Sequence, residues 1–172
     1  SEKNVQRLQS MQDMSEIMVM DYIMNQFDRW GNVSSREFYY WKELENGKVT
    51  IKTLPYSRKN EAKVQGKRAI VISEAMLKDN DCGLIFENET KLNMLLENIS
   101  HLRSDFYQRL LAFEKILDEK DTQDFFKSDV LFSRWDYEFM SENTHEIVNF
   151  LKARVAAGKL FLDPDVKEFF AN

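Results

Sequence analysis

Asp21-Tyr22-Ile23-Met24-Asn25-Gln26-Phe27-Asp28-Arg29-Trp30-Gly31-Asn32 is the stretch that decides how this chain is read. An apolar helical run leads into it, and it ends in a short polar turn that presents Asp28, Arg29 and Asn32 together. Gly31 permits a tight turn, Arg29 can neutralise a neighbouring carboxylate, and the Asn32 amide offers a neutral oxygen of the kind a hard cation takes. An answering stretch, Lys78-Asp79-Asn80-Asp81-Cys82-Gly83-Leu84, closes a strand-like apolar run with acidic residues and a glycine.

Upstream, the residues from Glu2 to about Phe27 favour helix, with Val5, Leu8, Met11, Ser15, Met18 and Tyr22 on one face at spacings of three and four. From Ile17 to Met24 the run is apolar nearly all round except at Asp21, which predicts a helix that enters a core. Five of the eight methionines lie in this helix. Their ordinary use is to fill gaps in a core; a Met-rich groove for a partner is the alternative.

Between the two stretches the pattern turns extended. Phe38 to Trp41, Val49 to Leu54 and Ala69 to Ile72 are strand candidates, and Asn46-Gly47 is a hairpin signal. Pro55 to Gly66 is polar and basic and reads as a loop. With Arg58, Lys59, Lys63, Lys67 and Arg68, this region is either a solvated hairpin tip or a contact for an acidic substrate or partner.

Downstream of Gly83 the pattern is helical. Glu89 or Thr90 caps a segment whose shared face carries Leu92, Leu95, Leu96, Ile99 and Leu102, and Ser104 caps the next, through Phe106, Leu110, Phe113 and Leu117. A turn at Glu119 to Thr122 precedes an aromatic-rich segment from Phe125 to Met140. Asn143 or Thr144 then starts a helix through Ile147, Phe150, Leu151 and Val155 that stops at Gly158. Asp163-Pro164 opens a last short helix, with Asp163 as its cap. The expected fold is α+β, mainly α-helical, with a small antiparallel β-hairpin beside the candidate site.

At 172 residues, 43% hydrophobic and 31% charged, the chain has the make-up of one ordinary globular domain. A net charge of −5 opposes a broad nucleic-acid surface, which needs clustered Lys and Arg. No apolar run approaches the roughly 20 residues that span a bilayer, and the polar N-terminal residues do not read as a signal peptide. The single cysteine, Cys82, demands no oxidising compartment, so the cytoplasm is favoured.

Each candidate group has a plain explanation beside the chemical one. Asp28 at a helix exit is either a surface carboxylate or part of a functional cluster with Arg29 and Asn32. Asp79 and Asp81 either cap their own backbone in an acidic turn or one of them meets a magnesium or manganese ion that bridges nucleotide phosphates, because such ions take one or two carboxylates plus the substrate. The residues do not choose between those aspartates. His101 and His145 lack metal-ligand spacing. A serine-hydrolase elbow and a Gly-rich phosphate loop are both absent.

The two stretches, their order and the segment after them resemble the C-terminal lobe of the atypical kinases related to the secretory-pathway Golgi casein kinase and four-jointed, and more loosely HipA-type and phosphoinositide-type kinases. The positions that carry the resemblance are Asp21, Asp28-Arg29, Asp79-Asn80 and Gly83, followed by Leu95, Leu102-Arg103 and Leu110-Leu111. The sequence departs from the family at Asn25-Gln26, where Gly-Asn is usual, at Trp30, where His is common, and at Ile99-Ser100, where the family has paired cysteines. Its connection from Asp28 to Asp79 is also longer.

The resemblance implies a phosphotransferase. Asp28 would be the catalytic aspartate that accepts or orients the proton of the acceptor hydroxyl, Asp79 and Asn32 the ligands of Mg²⁺ or Mn²⁺ with ATP, and Asp21 a buried brace for the catalytic turn. Arg29 and Asp81 would support them. A nucleotide site of this kind also needs an N-lobe with a strand-borne lysine. The expectation is therefore that residues 1–172 form one C-lobe-like domain, with an insertion at about 38–77, whose N-lobe is not in this chain. A separate N-lobe or partner protein would complete it, and the isolated chain would be inactive. Two other functions remain open: a catalytically inactive kinase-derived scaffold, and a kinase-fold nucleotidyl transferase or sugar or lipid kinase.

Overall fold

A computed structural model of the protein describes residues 2–26, 33–77 and 96–171, with the backbone alone at 169–171. Among the described residues, helix α1 (Glu2–Ile23) leads into strands β1 (Val33–Glu45) and β2 (Lys48–Pro55), helix α2 (Arg58–Val64) and strand β3 (Ile70–Leu77). Strand β4 (His101–Arg103) then precedes helices α3 (Ser104–Ile116), α4 (Lys120–Ser128) and α5 (Arg134–Ala156), strand β5 (Phe161–Asp163) and helix α6 (Val166–Ala171). The fold is α+β with helix predominant, as the sequence pattern predicts.

The predicted hairpin is one side of a three-stranded antiparallel sheet in the order β2-β1-β3. Asn46 and Gly47 take φ of +50° and +77°, the left-handed pair a two-residue hairpin turn requires. The sheet begins at Val33, earlier than Phe38, because β1 outruns β2 and pairs its first residues with β3: Val33 is the register partner of Leu77. Tyr39, Tyr40 and Trp41 are all buried, which needs cover on both faces of a pleated strand. Tyr40 packs with Val5, Ile70, Ile72 and Val166 on the α1 and α6 side, while Tyr39 and Trp41 pack with Val64 of α2 on the other.

The loop predicted over Pro55 to Gly66 contains α2. Ser57 caps it, its hydroxyl accepting from the Asn60 N–H at 3.3 Å, and burial of Val64 holds it on the sheet. The helix predicted to about Phe27 ends instead at Ile23. Asn25 adopts φ +47°, and the N–H groups of Asn25 and Gln26 donate back to the carbonyls of Tyr22 and Asp21 at 3.2 and 2.7 Å, a Schellman closure with asparagine at the left-handed position.

The main core lies where the second half of α1 meets α3 and α5. Val19, Tyr22 and Ile23 pack there with Leu96, Ile99, Leu102, Leu110, Ile147, Val148 and Leu151. Leu102, predicted on a helix face, lies on β4, which pairs in parallel with β5 through Leu102 and Leu162. Ser104 is the first residue of α3 and not its cap, its hydroxyl donating to the Asp163 carbonyl at 3.0 Å. The helix predicted to start at Asn143 or Thr144 is the second half of a continuous α5 that begins at a Ser133–Asp136 capping box. The cap of α6 is Asp165, which accepts from the Lys167 N–H at 2.7 Å, and Asp163 belongs to β5.

Candidate functional site

The end of α1 is built as a fixed corner. Asp21 is 4% exposed, and Asn25 and Gln26 are buried beside it. From α5, the Asn143 side-chain amide donates to the carbonyls of Tyr22 and Ile23 at 3.1 and 3.3 Å, giving the Ile23 carbonyl at the helix end a donor and the Tyr22 carbonyl a second one beside the Asn25 N–H. At this corner the helix enters the main core, and α1 has run along β3 to reach it: Gln6 meets Ser73, Asp13 meets Ala75, and Met20 lines a pocket with Leu77. Asp28, Arg29 and Asn32, together with Asp79, Asp81 and Cys82, lie outside the described residues. The residues that border them are described. Val33, which follows Asn32, and Leu77, which precedes Lys78, are paired across the end of the sheet.

Beside that end is a pocket of about 270 Å³ lined by Glu16, Ile17, Met20, Leu77, Arg103 and Phe106, among others. Its polar wall is a charge cluster. The Arg103 guanidinium donates to Asp13 and, at 2.7 Å, to Glu16, and its Nε lies 3.4 Å from Asp165. Asp13 is buried and accepts from three groups: Arg103, the Gln9 amide at 2.7 Å and the Ala75 backbone N–H at 2.8 Å. Burial pushes the Glu16 carboxyl above the ordinary carboxylate range despite the attraction of Arg103, and the charge of Asp13 adds to the push. Burial also works against the charge on Arg103, but its bond to Asp13 and the charges of Glu16, Asp13 and Asp165 outweigh that and hold it more firmly protonated.

A second polar pair lies on the sheet. Tyr40 donates to Glu74, and burial first, then that bond, raises the phenol well above its usual range. Three carboxylates surround the Arg103 guanidinium, which donates to two of them and leaves its buried Nε without a hydrogen bond. Its chemistry is to hold α1, β4 and the start of α6 together, and to give one wall of the pocket a fixed charge. His101, without metal-ligand spacing in the sequence, pairs with Asp163 at 2.6 Å and stacks on Phe161, fixing β4 to β5.

Among the described residues no group of three His, Cys, Asp or Glu side chains is arranged to hold a metal ion. The predicted metal ligands, Asp79 and Asn32, fall outside that set. Of the predicted site residues Asp21 alone is described, and it is buried.

The Asp13, Glu16, Arg103 and Asp165 cluster is not anticipated by the apolar spacing of α1. The signal for it is a second stripe on the same helix, Gln6, Gln9, Asp13 and Glu16, polar at steps of three and four. No family model, curated protein or solved structure matches the chain.

Proposed function

We propose that this chain is the C-terminal lobe of an atypical ATP-dependent phosphotransferase acting on protein hydroxyl groups. The observation that carries the reading is the pairing of Val33 with Leu77: the stretch ending at Asn32 and the stretch containing Asp79 are joined to the fold at one strand end, although far apart in sequence. The buried Asp21 and the Asn143 amide bonds brace the helix end from which the first stretch departs.

Asp28 accepts or orients the proton of the acceptor hydroxyl, and Asp79 and Asn32 offer the oxygen donors that suit Mg²⁺ or Mn²⁺. When bound, the ion neutralises charge on the nucleotide phosphates. Arg29 balances the carboxylates nearby, and Asp81 supports them. The lysine-bearing lobe that completes such a site comes from a separate polypeptide segment or partner.

Thermal unfolding with Mn²⁺ and ATP tests this, because a ligand that binds only the folded state raises Tm. The expected result is an upward shift with Mn²⁺ and ATP together that is lost in Asp79→Ala and kept in Arg109→Gln. Equal shifts for the parent and Asp79→Ala, or no shift whether or not a lysine-bearing lobe is supplied, would overturn it.

The second reading, a kinase-derived interaction scaffold, is favoured by the methionines of α1. Met11 and Met14 are each 40% exposed and line a pocket of about 300 Å³ with Ser10, Met18 and Asn98. Met20 is likewise open to solvent. Of the five methionines read as core filling, Met18 and Met24 pack against the main core, and these three do not.

A further inference from the structure

We propose that α2 and the turn after it form a docking surface for an acidic polypeptide segment of a partner protein. From Ser57 to Arg68 the chain carries Arg58, Lys59, Lys63, Lys67 and Arg68 against a single acid, Glu61, in a protein of net charge −5. All five basic residues are exposed. Lys67 is engaged, 2.6 Å from Glu43 and 4.3 Å from the centre of the Trp41 ring. The side chains of Arg58, Lys59, Lys63 and Arg68 make no hydrogen bond or ion pair with any described residue.

Local energetics accounts for only one of these charges, Lys63, which stands in the last turn of α2 where the helix dipole favours a cation. Arg58 and Lys59 stand in the first turn of α2, where the helix dipole favours acids. Lys59 and Lys63 lie one turn apart on one face, where like charges repel, and α2 is only 7 residues long. The exposed arginines of α3 and α5 are treated differently: Arg109 and Arg134 each have an acid one turn away, Asp105 and Glu138. What holds α2 is the Ser57 cap and the burial of Val64 against Tyr39 and Trp41, so the cations are presented to solvent from a fixed element.

The uncompensated charge is complementary to an anion outside the chain. The helix is about 10 Å long, which suits a few carboxylates. Glu43 at its border and the net negative charge of the protein oppose a long polyanion such as nucleic acid. Tyr56, 51% exposed, with its ring 5.0 Å from that of Tyr39, adds an apolar ledge beside the cations. The surface lies on the face of the sheet opposite α1 and stands independently of the roles given to Asp28 and Asp79.

Fluorescence anisotropy of a fluorescein-labelled glutamate-rich dodecapeptide, titrated with the full chain, tests the surface. Binding is expected to weaken between about 50 and about 150 mM salt. It should fall at least about tenfold in Arg58→Gln/Lys59→Gln/Lys63→Gln/Arg68→Gln, and remain unchanged in the control Lys115→Gln/Lys120→Gln/Lys127→Gln. The quadruple variant should melt no lower than the parent, since it removes repulsion. Undiminished peptide binding by that variant, a lowered melting temperature accompanying the loss, or tighter binding of a single-stranded oligonucleotide or of phosphatidylserine vesicles than of the peptide would each overturn the proposal.

Discussion

The two halves of α1 are both buried, but against different kinds of partner. From Val19 to Ile23 the helix presents apolar side chains to α3 and α5, and the gain there depends on area and shape with little direction. From Gln6 to Glu16 it presents amides and carboxylates to the edge of β3 and to Arg103. Gln6 donates to the Ser73 carbonyl at 2.9 Å and accepts from the Ser73 N–H at 2.7 Å, and Asp13 accepts from the next outward N–H, at Ala75. The side chains of a helix thus take the place of a fourth strand along an edge that would otherwise be open to pairing. One end of the helix is fixed by packing, and the other adds to the packing of Val5 and Leu8 against the sheet a set of registered bonds from Gln6 and Asp13.

Breaking the polar half at its centre should have the largest effect. Arg103→Met leaves Asp13 and Glu16 buried without their counter-charge, a change that costs about 3 to 5 kcal/mol, measured by urea unfolding. The cost should depend on pH. A carboxyl raised in the folded state, as Glu16 is, contributes stability that is full below the unfolded value and lost as pH rises through the folded one. The deficit of Arg103→Met is therefore smaller near pH 4, where the abandoned Glu16 carboxyl takes up a proton, than at pH 7.

The apolar half supplies the contrast. Leu151 has no exposed surface, and Leu151→Ala should cost about 3 kcal/mol by leaving a cavity, with the same loss at both pH values. A pH-dependent loss there would mean that the two ends of α1 are not separately fixed. The smallest effect is expected of Gln6→Ala, about 1 to 2 kcal/mol for stripping Ser73 of its partners. Faster amide exchange at Ser73 with unchanged protection in α5 would locate that loss on the strand edge.

What the sequence reveals follows the same division. The helix from Glu2, the Asn46-Gly47 turn, the three strands, and Ile147 and Leu151 in the core are all legible, because each rests on a local period or a turn residue. The burial of Gln9, Gln12 and Asp13 is not, since the apolar spacing assigns them to solvent and the partner of Asp13 is Arg103, far along the chain. Strands β4 and β5, each of 3 residues, are too short to show a period, and parallel pairing leaves no turn signal between them. Helix α2 hides in a basic stretch whose signals are Ser57 as cap and Glu61 in the first turn. Of the candidate site, the buried Asp21 and the paired residues Val33 and Leu77 are where the motif reading meets described structure.

The Arg103 cluster also sets a timetable for the nascent polypeptide. Asp13 and Glu16 leave the ribosome long before Arg103, and at roughly 5 to 20 residues per second the interval is about 4 to 18 seconds. Until it has passed, the first helix has acidic groups awaiting their cation and methionines open to solvent, a combination that invites chaperone attention during synthesis.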